Sequence, residues 1–254
     1  MSVKLPFKMN KSLNFRKGFR PVDFIPTDIE GLQAWYDASQ ENYNDGDNVS
    51  IWHDLSGNER HAEQSTESKQ PEFKTNIFKS QPAINFDGID DHIFHDMENG
   101  FDQPVTYFIV TLKEDVTESR ERFITHNERG RSRSSVNSAG LNGFGDLNNE
   151  LFTFSGTFLR TLQEYDTPFY VIMTSIFNGA NSSIIINNKE KIIGDVGNRD
   201  IGRRFMIGAH QRQDEDFLVG YLAEIIFYDR KLTDKEINNV NKYLSNKWGV
   251  TLEN

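Results

Sequence analysis

Only one stretch of this chain has the periodicity of an amphipathic helix, and it follows a long succession of strand-length runs. Residues 221–228 are nearly all large and apolar, the pattern of a strand covered on both faces. Thr233 and Glu236 then stand in the Ser/Thr-x-x-Glu spacing of a capping box. Ile237, Val240, Leu244 and Trp248 recur at steps of three, four and four, which puts them on one helical face. Gly249 can take the left-handed conformation that closes a helix. One helix at the end of a strand-rich chain leaves little room for an α/β fold.

The runs before it are short and punctuated. A turn followed by a short strand is expected within 28–37, and strands near 49–55, 82–88 and 104–112, with a weaker one at 122–125. Residues 151–154 and 157–162 read as a hairpin across Ser155-Gly156. A strongly apolar strand follows at 169–177. Residues 183–186 and 190–193 flank Asn187-Asn188, a hairpin signal because Asn tolerates positive φ. The set closes with 205–209 and 217–228. Residues 128–145, rich in Arg, Ser, Asn and Gly, read as a long surface loop. No βαβ alternation and no internal repeat is visible. The pattern predicts an all-β fold, a two-sheet antiparallel jelly-roll sandwich with one C-terminal helix.

Two domain-level regions are expected: an extended basic arm over 1–27 and a sandwich domain over 28–254. At 254 residues the chain is long enough for one large sandwich. Residues 1–26 carry six Lys or Arg against Asp23 alone, although the chain as a whole has a net charge of -10. The arm is broken by Pro6, Pro21 and Pro26. Lys4, Phe7, Lys8, Phe15, Arg16, Lys17, Phe19 and Arg20 are its expected partner-binding residues, aromatic anchors set among basic ones. The acidic body argues against a nucleic-acid surface. The absence of cysteine excludes disulfides and thiolate metal sites. No long apolar run suggests membrane insertion, and no signal-peptide pattern opens the chain, so synthesis in a host cytoplasm is expected.

Three segments carry a resemblance. Trp52-His53-Asp54-Leu55-Ser56-Gly57-Asn58 with His61-Ala62 resembles a signature of laminin G-like, concanavalin A-like jelly-roll domains. Pro82-Ala83-Ile84-Asn85-Phe86-Asp87-Gly88, followed by Asp90-Asp91, is similar to a second motif of that family. Gly220 to Gly249 is similar to its closing strand and helix. Ile184 to Asn188 corresponds to a strand and turn, with Asn188 where the family has Gly. The resemblance covers roughly 28–250 and implies the concanavalin A-like fold. Such domains occur in lectins, adhesins, enzyme appendages and structural proteins of tailed bacteriophages.

Candidate sites are few. Asp87, Asp90 and Asp91 sit in one turn and could offer oxygen ligands to calcium, although an Asx-type turn explains Asp87 as well. Asp54, Ser56 and Asn58 fit either a second such loop or the pinning of a tight turn. Trp35, Trp52 and Trp248 read as core rather than as sugar platforms. The six His show no metal spacing. Arg129, Arg131 and Arg133 form a possible ligand loop for an acidic partner or anionic glycan. No pair of carboxylates alternates along a strand as in sandwich glycosidases, so no catalytic residue and no enzyme is expected. The leading expectation is a non-enzymatic bacteriophage virion protein, a capsid-decoration or tail-associated subunit. Its arm would bind capsid or tail proteins within a larger assembly. The alternative is a carbohydrate-binding lectin or adhesin module contacting host glycans. A glycoside hydrolase is the minor alternative.

Overall fold

The computed structural model describes residues 24–114, 121–128, 131–138, 150–161, 165–189, 191–210 and 212–253. The chain opens with β1 (Leu32–Asp37), β2 (Ile51–Trp52), β3 (Ala62–Glu63), β4 (Glu72–Phe78) and β5 (Gln81–Asp87). It continues through β6 (Ile93–Asp96), β7 (Val105–Lys113), β8 (Glu121–Glu128) and β9 (Arg131–Ser138). Then come β10 (Leu151–Phe154), β11 (Phe158–Arg160), β12 (Phe169–Phe177), β13 (Ser182–Ile186) and β14 (Ile192–Gly194). The last strands are β15 (Arg204–Ile207) and β16 (Val219–Tyr228), before α1 (Asp234–Trp248).

The strands form two antiparallel sheets, so the expected all-β sandwich is the fold. The first has the order β14-β13-β12-β7-β16-β5-β4, with β1 also on β16. The second has the order β11-β10-β9-β8-β15-β6-β3-β2. β16 lies against β7 along one edge. Along its other edge it pairs first with β5, through Val219–Leu222, and then with β1, from Glu224 onward. The change of partner coincides with a register shift between Leu222 and Glu224.

Alternation along β16 explains its apolar composition. Ile225 and Phe227 face the second sheet; Phe227 stacks on Tyr107 of the adjacent strand β7 at 4.5 Å and 6°, and its ring is 6.1 Å from Phe205 in β15 of the second sheet. Glu224, Ile226 and Tyr228 face the other way, toward α1. A strand covered on both faces must be apolar at nearly every position. α1 lies on this outer side of the first sheet. Ile237, Val240, Leu244 and Trp248 are all buried, as their spacing predicts. Thr233 and Glu236 make the capping box in both directions, worth about 1 kcal/mol. Gly249 adopts φ 72° and closes the helix.

The Asn187-Asn188 hairpin is present with φ 49° and 62°. The β10–β11 hairpin is present too, with Phe154 opposite Phe158. One expectation is corrected. The stretch read as a loop over 128–145 contains β9, which pairs with both β8 and β10. Ser, Asn and Arg dominate β9, so it lacks the apolar alternation by which a half-buried strand is recognised.

Candidate functional site: an acidic turn and the outer face of the second sheet

The helix side of the first sheet holds a charge cluster sealed from solvent. Glu224 Oε1 accepts from Trp35 Nε1 at 2.7 Å and from Tyr243 O–H at 3.0 Å. Its Oε2 accepts from Trp248 Nε1 at 2.6 Å and Lys247 Nζ at 2.7 Å. Lys247 also pairs with Asp37. Burial raises the Glu224 carboxyl, while Lys247 and the Trp248 indole N–H oppose that rise. Burial alone would lower Lys247, but Asp37 and Glu224 outweigh it and hold the ammonium charged. Every acceptor position of Glu224 is occupied by the protein itself, so this cluster fastens α1 to β1 and β16. Nothing in the sequence analysis singled out Glu224. Its signal was a lone acid inside an otherwise apolar strand.

The Asp54 turn is also structural. Asp54 Oδ1 accepts from the backbone N–H of Trp35 and Ser56, and its Oδ2 from Ser56 Oγ and Arg60 N–H. Asn58 Nδ2 donates to the carbonyls of Leu32 and Gln33. Trp35, Trp52 and Trp248 are buried, as expected of core residues.

Asp87, Asp90 and Asp91 converge where the chain crosses from β5 to β6, with one oxygen from each within 4.8 Å of the others. Asp87 Oδ1 accepts from Ile89 N–H at 2.8 Å, the Asx geometry, and Asp91 Oδ2 accepts from Asp87 N–H at 3.0 Å. No cation of the protein is hydrogen-bonded to the group among the described residues. Burial, reinforced by the Asp87 and Asp90 charges, lifts the Asp91 carboxyl to about 7, against the lowering effect of the Asp87 N–H. Ile89 projects from the turn and is 72 % exposed. His92 follows; its Nδ1 is 2.8 Å from the Asp90 carbonyl and its Nε2 2.9 Å from Gln64 Nε2. The proton therefore sits on Nδ1, and burial keeps the ring neutral by lowering its pKa.

Among the described residues the second sheet has no helix on its outer side. In β15, Phe205 and Ile207 join the core, so Arg204 and Met206 face outward. In β10, Leu151 joins the core, while Phe152, Phe154 and Phe158 form a separate cluster on the outside. The middle of this face is closed, Thr125, Phe152 and Met206 being buried. Half-buried rings lie toward its ends. At one end Phe94 lies under Arg204, 4.5 Å from ring centre to guanidinium, and Arg204 makes a two-pronged pair with Asp96 at 2.6 and 2.5 Å. The guanidinium lowers the Asp96 pKa. At the other end Phe154 and Phe158 are 4.7 Å apart, with Arg199 over the first and Arg160 over the second, each at 5.4 Å. These residues were missed by sequence reasoning, although the hairpin across Ser155-Gly156 already puts Phe152, Phe154, Phe158 and Arg160 on one face by its period of two.

Arg131 and Arg133 lie in β9 of this same sheet rather than in a loop. Arg129 lies outside the described residues, as do Lys4, Phe7, Lys8, Phe15, Arg16, Lys17, Phe19 and Arg20 of the arm.

No family model matches the chain, and no curated protein matches it in sequence. Solved structures do share its fold. A Trypanosoma rangeli sialidase in complex with sialic acid is similar with a TM-score of 0.55 at 12% identity, over 88% of this chain. The chain corresponds to only 34% of that sialidase. Domain 4 of AbnA, a GH43 extracellular arabinanase from Geobacillus stearothermophilus, in complex with arabinotriose, is similar with a TM-score of 0.58 at 14% identity. That match covers 83% of this chain and 98% of the domain. A mutant GH54 α-L-arabinofuranosidase matches with a TM-score of 0.58 at 12% identity, over 77% of this chain and 50% of that one.

These neighbours establish a jelly-roll-like sandwich and correct two expectations. The virion reading has no support: the similar structures come from a sialidase, an arabinanase and an arabinofuranosidase. The expectation that the chain is no enzyme is overturned by the same neighbours, which belong to carbohydrate-active enzymes. The error was physical as well as comparative. A capsid-anchoring role rested on the arm, and the fold of the body carries no information about it.

Proposed function

We propose that this domain binds saccharides on the outer face of its second sheet. The observation that carries the reading is the set of half-buried phenylalanines there, Phe94, Phe154 and Phe158, each with an arginine guanidinium against its ring. A sugar ring offers an apolar C–H face to an aromatic ring and hydroxyls to charged groups around it. On the first sheet α1 packs over β1 and β16 through Trp35, Glu224 and Trp248. The domain-length likeness to a solved domain in complex with arabinotriose supports the same reading. The test is a glycan array on the wild type and on Phe154→Ala/Phe158→Ala and Phe94→Ala variants. Binding that is lost in one set locates the occupied end. A wild type that binds no saccharide on the array refutes the proposal.

Hydrolysis is the second reading, favoured by the acidic turn. Asp91, protonated to about pH 7, stands beside Asp87 and Asp90, which supply carboxylates for the partner role. The same oxygen donors suit calcium, which would displace the Asp91 proton on binding. Release of reducing sugar that is lost in Asp91→Asn and survives EDTA supports the acid. A calcium-induced rise in melting temperature that Asp91→Asn removes supports the metal.

A further inference from the structure

We infer that the first sheet carries a second saccharide platform on its outer face, beside α1, and that this platform takes an uncharged sugar chain. It lies on the opposite side of the sandwich from the face of the second sheet, and neither site needs the other. Five strands contribute one row of side chains to it. Tyr170 of β12 and Tyr221 of β16 each pair with Leu112 of β7; Tyr221 pairs in turn with Asn85 of β5, and Asn85 with Glu72 of β4. Residues directly opposite one another in a ladder point to the same side of the sheet. That side is the one α1 occupies, because Thr174, four residues on from Tyr170, bonds Asn241 of the helix at 3.1 Å. The helix does not cover the row: Tyr170 is 45 % exposed, and Tyr221, Asn85 and Glu72 are half-buried.

The row has the make-up of a sugar-binding surface. Tyr170 and Tyr221 stand on either side of buried Leu112, two strand spacings or about 10 Å apart. The two rings and the leucine between them form an apolar strip for the C–H faces of successive sugar rings. Tyr170 is braced: Phe78 meets its ring edge-on at 5.2 Å and 85°, and Trp248 meets Phe78 at 5.7 Å. A ring fixed before binding loses little entropy on binding. The Asn85 amide has no side-chain hydrogen bond among the described residues, so its donor and acceptor are available to hydroxyls. Charge decides the class of ligand. Glu72 is paired with Lys74. Burial raises the Tyr221 pKa and the nearby Glu114 carboxylate raises it further, with Lys74 opposing and Glu72 adding to the rise. Two acids against one lysine leave the platform negative, on a chain whose net charge is -10. Acidic glycans are repelled there, whereas an uncharged chain meets rings, an amide and carboxylates that accept from its hydroxyls.

The experiment is calorimetric titration with linear neutral oligosaccharides, fragments of arabinan, xylan and cellulose, and with an oligogalacturonate beside its carboxyl-reduced form. The wild type is compared with Phe94→Ala/Phe154→Ala/Phe158→Ala, which silences the second sheet, and with Tyr170→Ala, Tyr170→Phe and Asn85→Ala in both backgrounds. Melting temperatures are the folding control. At least one neutral probe is expected to bind the triple variant still. Adding Tyr170→Ala should weaken that binding roughly tenfold, as for an aromatic anchor at a binding surface. Tyr170→Phe keeps the ring and should keep most of the affinity, while Asn85→Ala should lose roughly fivefold, the worth of one hydrogen bond. If the triple variant does not fold, the stoichiometry of Tyr170→Ala, one site fewer than the wild type, gives the same answer. Binding that vanishes in the triple variant and is untouched by Tyr170→Ala overturns this inference and leaves the second-sheet site standing. Binding that the triple variant keeps in full and Tyr170→Ala abolishes supports this inference and removes the other site. Oligogalacturonate that binds at Tyr170 as tightly as its reduced form overturns the uncharged ligand. No binding of any probe overturns both sites.

Discussion

Two groups of acids in this molecule have opposite environments. Glu224 and Asp37 lie under α1, buried, and share Lys247, while two indole N–H groups and a tyrosine hydroxyl donate to Glu224. Asp87, Asp90 and Asp91 lie at the crossing between sheets with backbone N–H donors and no cationic partner among the described residues. The first group satisfies itself completely and has nothing left to offer a ligand. The second leaves charge unbalanced, and the protein meets that cost by keeping a proton on Asp91 up to about pH 7. A buried charge that the fold fully compensates is architecture, while one compensated by a proton is chemistry in waiting.

Four changes test that contrast, beginning with the most severe. Glu224→Ala strands the Trp35 and Trp248 N–H groups and leaves Lys247 with Asp37 alone. It should cost about 3–5 kcal/mol, read as a lowered urea midpoint at unchanged slope. A loss below about 1 kcal/mol would mean that the cluster is not what fastens the helix. Lys247→Met leaves Glu224 and Asp37 facing each other without a cation, and about 3 kcal/mol of destabilisation is expected by the same measurement. Gly249→Ala puts a Cβ on a left-handed residue and against the Lys79 stem. The backbone strain alone is worth about 1–2 kcal/mol, read as a fall in melting temperature.

The smallest effect is a change of pH profile. Asp91 has a folded pKa raised above its unfolded value, so the folded state holds the extra proton. Its contribution to stability is full below the unfolded value near 4 and is lost as pH rises through about 7. Asp91→Asn should flatten that part of the stability curve between pH 5 and 8. A variant whose curve still falls with pH as steeply as the wild type's would remove Asp91 from the argument.

Legibility in the sequence followed the same divide between compensated and uncompensated features. α1 could be read almost residue by residue, because capping and a 3.6-residue stripe are local signals. The strands buried on both faces, β7, β12 and β16, announced themselves as apolar runs. β9 did not, since an Arg- and Ser-rich strand differs from a loop only through the neighbours it pairs with. Glu224 was invisible for a related reason: its four partners, Trp35, Tyr243, Lys247 and Trp248, come from β1 and from α1, away along the chain. Asp87 to Asp91 were legible as a cluster, because their proximity is that of a turn. The Phe154–Phe158 platform lay between these cases. The hairpin put both rings on one face, but only the packing of the 199 loop shows that Arg199 caps one of them.

The series of partners along β16 has a consequence for the order in which the molecule is made. β1, β5 and β7 are synthesised long before β16, yet each finds its neighbour in it; Gln33 and Asp229, which close the β1 edge by a hydrogen bond, are 196 residues apart. Until residue 228 has left the ribosome, three strands of the first sheet wait with open edges. Contacts of such long range make folding slow and late. Nascent chains that stop short of β16 should therefore present unpaired strand edges, the surfaces on which aggregation begins.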